Sequence, residues 1–263
     1  MKTTRTILAL MVFALAPVWA QDWARQSLEK SPRHQEWVTV KHGNRVVHAF
    51  LVYPEVSRKA TAVVVIHENQ GLTDWVRSVA DQLAAQGYIA SAPDLLSGMA
   101  PGGGKTSDFP DAGAAREAIY KLQPDVVTAD LNAVTDHVRK LPAATGKVAV
   151  AGFCWGGSQS FRFATTRADL AAAFVFYGTG PEEVPGVRAP VYGFYGGDDA
   201  RVNATIPKSE ELMKQAGKRF EPVTYPGAGH GFMRSGEDPA GSEPNRAARD
   251  QAWRRWLDLL KKM

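Results

Sequence analysis

The single cysteine of the chain stands in a segment whose residue types and spacing can do chemistry. Residues 152–157 read GFCWGG, so Cys154 follows the spacing Gly-x-nucleophile-x-Gly. The apolar residues 148–151 precede it and a helical stretch follows, which predicts a sharp strand-to-helix turn. Side chains at Gly152 or Gly156 would collide with neighbouring backbone in such a turn. The turn would place the sulfur at the carboxyl edge of a sheet and at a helix N-terminus, which favours thiolate.

A lone cysteine has a plainer interpretation, which is burial as a small hydrophobic residue in a tight turn. One cysteine excludes an intramolecular disulfide, and a free thiol is a liability in an oxidising compartment. The strand and helix on either side of Cys154 favour the nucleophile over the inert residue. The chemistry that this predicts is acyl transfer to sulfur.

A thiol nucleophile needs a base, and the sequence offers six histidines. His230 differs from the others because residues 226–232, PGAGHGF, form a glycine-rich loop between the last predicted strand and the final helix. Hydrolases with this kind of turn place the base last in chain order, so His230 is the predicted base. Four others precede the sheet, lie on an edge hairpin or sit in a helix among charged residues, and we expect them to be solvated or packing residues: His34, His42, His48 and His137.

The acid that orients His230 is expected after a strand that follows the nucleophile in sequence. Residues 196–202 read GGDDARV, which offers two adjacent aspartates. The spacing favours Asp199, whereas Asp198 is typical of a turn or capping residue, and the choice between them stays open. Asp94 precedes the nucleophile in sequence and is a weaker candidate.

Residues 67–72, HENQGL, follow the longest apolar run and lie at the same predicted sheet edge. A loop at this place donates one backbone N–H to an oxyanion hole, and the residue after the nucleophile donates the other. These donors are predicted at Asn69 and Trp155. Glu68 allows two interpretations: its carboxylate disfavours a nearby thiolate and so holds the thiol protonated, or it caps the following helix.

The elements that must position these residues alternate along the chain. Strands are predicted at 61–66, 88–92, 147–151, 172–177, 191–195 and 220–225, and helices at 72–86, 112–122, 126–141, 156–166, 206–215 and 246–262. An antiparallel hairpin, 37–40 with 46–53, precedes them around His42, Gly43 and Asn44. Strands separated by helices predict an α/β fold, an α/β-hydrolase fold with a mostly parallel central sheet, helices on both faces and the hairpin at the N-terminal edge.

One segment interrupts this alternation. Residues 97–113 contain two prolines and three consecutive glycines, Gly102–Gly104, which predicts a loop or mobile lid beside the site, near which substrate enters. Lys105 and Thr106 follow the glycines too closely for a phosphate-binding loop. We therefore expect no phosphate site in this segment.

Four motifs in this order resemble the dienelactone hydrolase family: Glu68 in HENQG, Cys154 in GFCWGG, Asp199 in GGDD and His230 in GHGF. The resemblance covers roughly residues 45–262. It implies a Cys–Asp–His triad that opens a lactone through a thioester. It also implies that a glutamate at the Glu68 position controls the protonation of the cysteine.

The resemblance also bears on the substrate. Members of the family that act on dienelactones grip the substrate carboxylate with two arginines. Arg234, four residues after His230, matches one of them, so we expect it to bind substrate. The other is expected shortly after residues 93–96, where Ser97 and Gly98 stand instead. The resemblance therefore supports the type of reaction better than the compound.

The composition and the N-terminal residues limit the functions and the cellular location that the sequence allows. Of 263 residues 44% are hydrophobic and 22% charged, and no Lys/Arg block interleaves with aromatics, which argues against nucleic-acid binding. Residues 1–20 have a basic start, an apolar stretch too short for the about 20 residues of a membrane span, and small residues before Gln21. We expect a signal peptide over 1–20, a lead-in segment over 21–36 and one hydrolase domain over 37–263.

The sequence thus predicts an exported hydrolase, periplasmic or secreted, that cleaves a small-molecule ester or lactone. The triad Cys154, His230 and Asp199 would act through a thioester acyl-enzyme without metal or organic cofactor. We expect a monomer with no stable membrane insertion after signal cleavage. Two alternatives remain: an acyltransferase or peptidase with the same triad, and a non-catalytic binding protein of the same fold.

Overall fold

The computed structural model describes residues 21–263, and the predicted signal peptide over residues 1–20 lies outside the described residues. Within them the strands are β1 (Gln35–His42), β2 (Arg45–Val52), β3 (Ala60–Ile66), β4 (Ile89–Asp94), β5 (Ala144–Phe153), β6 (Ala173–Phe176), β7 (Val191–Gly196) and β8 (Phe220–Tyr225). The helices are α1 (Asp22–Glu29), α2 (Asp74–Ala85), α3 (Ala112–Lys121), α4 (Pro124–Arg139), α5 (Trp155–Thr166), α6 (Ala200–Asn203), α7 (Ile206–Gln215), α8 (Phe232–Glu237) and α9 (Glu243–Leu260). None of these helices is long and apolar enough to cross a membrane.

The strands form one sheet in the order β1-β2-β4-β3-β5-β6-β7-β8. Strand β2 runs antiparallel to both its neighbours, and all other pairs are parallel. The central strands are continuous apolar runs because helices cover both faces of the sheet, as in β3, where Val63 to Ile66 are fully buried. The predicted α/β-hydrolase architecture is confirmed.

The N-terminal hairpin is longer than predicted and is tied to the body of the domain. It turns between His42 and Arg45, which pair with each other, and Gly43 takes a positive φ of 50°. The carboxylate of Asp130 on α4 is fully buried and accepts hydrogen bonds from His42 Nε2 at 2.6 Å and Arg45 Nε at 2.8 Å. These contacts hold the tip of the hairpin against the helix layer.

The segment expected as a lead-in, residues 21–36, contains α1 and the start of β1. Ala24 and Leu28, one helical turn apart, are buried in the same core cluster as α2. Asp81 on α2 accepts hydrogen bonds from Arg33 Nε at 2.9 Å and from Ser31 Oγ at 2.6 Å. The segment therefore packs as part of the domain, because a short amphipathic helix and one buried carboxylate fix it to α2.

The glycine-rich segment 97–113 contains two short 3₁₀ turns and is attached to the sheet through Thr106. Thr106 is buried, and its hydroxyl donates to Asp94 Oδ1 at 2.7 Å while its N–H donates to Asp94 Oδ2 at 2.9 Å. The Leu72 N–H in turn donates to the Thr106 hydroxyl at 3.0 Å. Asp94, a weak candidate for the catalytic acid, therefore anchors this loop to the carboxyl end of β4.

Candidate active site

The turn at Cys154 has the geometry that its neighbours predict. Cys154 joins β5 to α5 with φ 54° and ψ −116°, a backbone conformation that side-chain-bearing residues rarely adopt. A Cβ at Gly152 would lie 1.9 Å from the Gly156 carbonyl oxygen, and one at Gly156 would lie 2.3 Å from the His67 carbonyl oxygen. Only glycine fits at both positions, and the strained turn lifts the sulfur above the carboxyl edge of the sheet.

The three side chains singled out for acyl transfer lie in a row. His230, in the loop between β8 and α8, has its Nε2 3.1 Å from Cys154 Sγ. Its Nδ1 lies 2.5 Å from Asp199 Oδ2, at the residue that also caps the N-terminus of α6. Asp199 is 6% exposed, whereas Asp198 is exposed and its N–H donates to the Ala228 carbonyl. The carboxylate that reaches His230 is thus that of Asp199.

Two backbone N–H groups face the sulfur. They belong to Trp155, the first residue of α5, and to Asn69, in the loop after β3, and each favours the anionic form of Cys154. These are the two positions predicted for an oxyanion hole. The Asn69 side chain points elsewhere, with its Nδ2 donating to the Tyr120 hydroxyl at 3.3 Å. The backbone of Asn69, rather than its amide side chain, therefore faces the reacting centre.

The sulfur is a protonated thiol at rest. Burial, and after it the negative charge of Glu68, raise the pKa of Cys154 to about 11. The Trp155 N–H at the start of α5, the charge of Arg201 and the Asn69 N–H act in the opposite direction but do not offset them. The preference for thiolate expected from the helix N-terminus is thus outweighed by burial and Glu68.

Arg234 lies beside the sulfur but is engaged by Glu68. Its Nε donates to Glu68 Oε2 at 2.7 Å, and the charge of Glu68 raises the pKa of Arg234. The Arg234 side chain is 40% exposed, so it remains accessible to solvent. The residue expected to bind substrate and the residue expected to control the thiol therefore form one ion pair.

A small cavity of about 160 Å³ opens beside Cys154. Besides Cys154 and Val202, its walls come from α3, α5, the loop after β6 and α6: Tyr120, Trp155, Ser158, Tyr177, Thr179 and Arg201. Substrate was expected to enter near the segment 97–113. The residues named above as lining the cavity include none from that segment, and Tyr120 of the helix that follows it lines the cavity instead. Within residues 21–263 no group of three His, Cys, Asp or Glu side chains is arranged to hold a metal ion.

Of the six lining residues that were not anticipated, two have unusual features, and the first of these is Tyr177. It takes a positive φ of 42°, and its ring meets His230 edge-on at 5.2 Å between centroids. Its hydroxyl is buried without a hydrogen-bond partner among the described residues. Burial, followed by the charge of Glu68, raises the pKa of Tyr177 well above its usual value, so it stays protonated. The only sequence signal is Gly178, where a Cβ would lie 2.3 Å from the Ser158 nitrogen.

The second is Arg201, an exposed residue two positions after Asp199. It makes no salt bridge within the described residues, which leaves a cation at the mouth of the cavity. Its sequence neighbours gave no indication of this, because its position depends on the short turn of α6 that follows Asp199. The cavity thus has a basic residue on its α6 side.

This sheet, with its nucleophile turn between the central strand β5 and α5, defines an α/β-hydrolase fold. The sequence model of the dienelactone hydrolase family matches residues 47–263, and the chain belongs to that family. Both the fold and the family were expected from the sequence, and both are confirmed. The protein is accordingly a hydrolase.

Curated relatives and solved structures agree with this placement. A protein of Escherichia coli (strain K12) assigned as a carboxymethylenebutenolidase is 30% identical over 218 residues, which cover 76% of each chain. One of Methylorubrum extorquens with the same assignment is 28% identical and covers 98% of this chain and 92% of its own. A crystal structure of a dienelactone hydrolase from Klebsiella pneumoniae subsp. pneumoniae MGH 78578 superposes with a TM-score of 0.77 at 23% identity, over 88% of this chain and 99% of that one.

Proposed function

We propose that this protein hydrolyses a small carboxylic ester or lactone through a thioester on Cys154. The observation that carries the proposal is the row of contacts from Cys154 Sγ to His230 Nε2 at 3.1 Å and from His230 Nδ1 to Asp199 Oδ2 at 2.5 Å. This is the nucleophile, base and orienting acid that acyl transfer requires. The names of the curated relatives, which are lactone hydrolases by assignment, support the substrate class.

The first half of the reaction forms the thioester. His230 Nε2 takes the proton of Cys154 as the sulfur attacks the acyl carbon, and Asp199 stabilises the imidazolium through Nδ1–H. The carbonyl oxygen becomes an oxyanion that accepts hydrogen bonds from the Asn69 and Trp155 N–H groups, each worth about 2.7–4 kcal/mol. The C–O bond to the leaving oxygen then breaks, and that oxygen takes the proton from His230.

The second half releases the acid. A water molecule gives a proton to His230 Nε2 and attacks the thioester carbon, and the oxyanion forms again between the same two N–H groups. The C–S bond breaks, and the sulfur of Cys154 takes the proton back from the imidazolium. The products are a carboxylic acid and the original thiol, so atoms and charge balance without a cofactor.

Glu68 and Arg234 are proposed to control when Cys154 loses its proton and the reaction starts. In the free protein Glu68 disfavours the thiolate and is itself paired with Arg234. An anionic group on a bound substrate would compete with Glu68 for the Arg234 guanidinium. The cavity of about 160 Å³ supports a small acyl group on the Cys154 side.

Mass spectrometry of the protein quenched during turnover tests the proposal. A panel of aryl esters, lactones and short peptides is supplied, and the expected result is an acyl mass increment on the peptide that contains Cys154. Ser158→Ala is the matched control, because Ser158 lines the same cavity and its loss should leave the adduct in place. In Cys154→Ala hydrolysis is expected to fall by about 10³ or more. Undiminished hydrolysis in that variant would remove Cys154 from the mechanism, and products from peptides or added alcohols alone would favour the peptidase or the acyltransferase.

Export is the other part of the proposal, and the pattern of residues 1–20 supports it. We propose that the mature protein begins at Gln21 and acts in the periplasm or outside the cell. Fusion of residues 1–20 to a reporter that is active only after export, with sequencing of the new N-terminus, is the test. Leu10→Arg, which breaks the apolar stretch, should abolish the reporter signal. A reporter signal that is absent with the native segment would contradict export.

A further inference from the structure

His67 is a fully buried histidine that no step above uses. It follows β3 directly, and its ring forms two hydrogen bonds. The Leu95 N–H donates to Nε2 at 3.2 Å, and Nδ1 lies 2.8 Å from the Glu68 carbonyl oxygen. Because an N–H can only donate and a carbonyl can only accept, Nε2 is the acceptor and Nδ1 carries the proton. The contacts therefore fix one neutral tautomer of His67.

That hydrogen bond determines where the next N–H points. The peptide between Glu68 and Asn69 is planar and trans, so its C=O and its N–H point in opposite directions. With the Glu68 carbonyl held towards the His67 ring, the Asn69 N–H must point away from that ring. It faces the Cys154 sulfur. The direction of one oxyanion donor is thus set by the imidazole behind it.

The same ring supports the second donor. His67 stacks on the indole of Trp155 with 5.6 Å between centroids and 13° between planes. The backbone carbonyl of His67 also lies against Gly156, where a Cβ would approach it to 2.3 Å. The imidazole therefore contacts the turn that carries the Trp155 N–H as well as the loop that carries the Asn69 N–H.

The ring is also held in its neutral form. Burial lowers the pKa of His67, against the opposing charge of Asp94. A proton on Nε2 would in addition face the Leu95 N–H, donor against donor. The tautomer that orients Glu68 is thus the stable one at neutral pH.

We propose that His67 is a positioning residue that holds both oxyanion donors in place, through the Glu68 carbonyl and through the Trp155 ring. The inference rests on the proposed acyl transfer and deepens it. His67 never touches substrate. Its contribution appears only when a carbonyl oxygen becomes negatively charged.

The test compares two reactions of the one cysteine. Ester hydrolysis passes through an oxyanion, whereas alkylation of Cys154 by iodoacetamide is a displacement at carbon that forms none. In His67→Phe, which keeps a ring but has no hydrogen bonds, we expect kcat for ester hydrolysis to fall about 10²-fold with KM within about threefold. The rate of alkylation per thiolate, obtained from the pH dependence of the alkylation, should stay within about threefold of the wild type. His67→Asn, whose amide can still donate to the Glu68 carbonyl, should recover about tenfold of the lost kcat.

His137→Phe on α4 is the matched control, since this histidine lies outside the site and should leave both rates unchanged. A wild-type kcat in His67→Phe would overturn the inference. An equal fall in kcat and in the rate of alkylation per thiolate would also overturn it, because it would indicate a general disturbance of the site. If His67→Phe does not fold, His67→Leu and His67→Asn, both smaller than the native ring, carry the same comparison. Failure of the acyl-transfer proposal gives a different result. If Cys154 forms no thioester, wild-type protein that is alkylated on Cys154 still hydrolyses esters.

Discussion

At the scale of single residues, the sulfur of Cys154 is subject to two opposing influences. His230 Nε2 lies 3.1 Å from Cys154 Sγ and can accept its proton, whereas burial and the charge of Glu68 raise the pKa of the thiol to about 11. The charge of Glu68 is in turn shared with Arg234. The reactivity of the cysteine therefore depends on a carboxylate that belongs neither to the nucleophile nor to its base.

Replacing Glu68→Gln should make the thiol more acidic. A neighbouring negative charge disfavours thiolate, so its removal lowers the pKa of Cys154, and the freed charge of Arg234 acts in the same direction. The midpoint of the pH dependence of iodoacetamide alkylation is expected to move to lower pH by about 1. Glu182→Gln, at an exposed glutamate that pairs with Lys208 and does not line the cavity, should leave the midpoint unchanged. A midpoint that stays in place or rises in Glu68→Gln would contradict the role given to this residue.

Replacing Arg201→Gln should separate charged from neutral substrates. Arg201 is a cation at the mouth of the cavity without a salt bridge within the described residues. With two esters of equal size, one carrying a carboxylate and the other the matching carboxamide, kcat/KM should fall about fivefold for the first, equivalent to ~1 kcal/mol, and stay constant for the second. Arg201→Lys should retain most of the preference. Equal losses on both esters would show that Arg201 does not select by charge.

Motifs revealed the residues that carry chemistry but not those that surround them. Cys154, His230 and the acid near position 199 stand in short glycine-rich patterns that reflect tight turns, and such turns can be read from sequence. Tyr177 stands in no such pattern, and His67 is the first residue of the HENQG motif but nothing in that motif indicates its role. The position of Tyr177 depends on a positive φ, and the function of His67 depends on which two backbone groups lie on either side of its ring. Both properties depend on how the chain packs in three dimensions, and the periodic pattern of apolar residues does not encode them.

At the scale of elements, the junction of β5 and α5 is the most constrained part of the fold. Only Cys154 separates the end of β5 from the start of α5, and the backbone of α5 approaches the loop after β3 within contact distance at Gly156. Close approach of three backbone segments is possible only because glycine occupies the crossing points. This junction brings the Cys154 sulfur close to the N–H groups of Asn69 and Trp155.

Gly152→Ala tests that constraint through stability. The new Cβ would lie 1.9 Å from the Gly156 carbonyl oxygen, which is backbone and cannot rotate away. The free energy of unfolding in urea should fall by about 3 kcal/mol or more, with loss of activity. Gly113→Ala in α3 is the matched control, since its Cβ would meet only the Asp111 side chain at 3.0 Å and alanine favours a helix. Equal stability of the two variants would contradict the packing described for the turn.

The predictions of helices and strands were correct where the periodic pattern of apolar residues extended over enough residues to be recognised. Most strands and long helices of residues 37–263 were expected within a few residues, and Gly87, which follows α2, has the positive φ of 92° that is typical of a glycine after a helix end. The short helices α1 and α8 were not predicted. Only two residues of α1 are buried, and the six residues of α8 begin at a left-handed Gly231, so neither shows a helical period. The hairpin was recognised, but β1 begins earlier because its first residues pair with the end of β2.

At the scale of the whole molecule, the last helix supports the strands that carry the site. Trp256 of α9 is fully buried and meets Phe176 of β6 edge-on at 4.9 Å between centroids. It also packs against Phe153, the residue just before the nucleophile, and Phe174. The C-terminal end of the chain is thereby joined to the underside of the reactive turn.

Trp256→Ala should destabilise the whole domain. Loss of a large buried ring leaves a cavity among aromatic side chains, and the expected fall in the free energy of unfolding is about 3–5 kcal/mol. Trp256→Phe should cost less, because it keeps most of the volume and removes an indole N–H that has no partner within the described residues. Trp253→Ala, at a partly exposed neighbour on the same helix, should cost less than Trp256→Ala. Urea unfolding followed by circular dichroism measures all three, and similar losses for Trp253→Ala and Trp256→Ala would contradict this account.

The high thiol pKa has a consequence for the lifetime of the protein. With a pKa of about 11, about one molecule in ten thousand carries the sulfur anion at neutral pH. The anion, rather than the neutral thiol, is the nucleophile that reacts with peroxides and with oxidised glutathione, so an idle enzyme resists inactivation by either. Damage should then accumulate mainly during catalysis, when the proton has left the sulfur. A hydrolase with its only cysteine held in this way is chemically durable wherever the surroundings are oxidising.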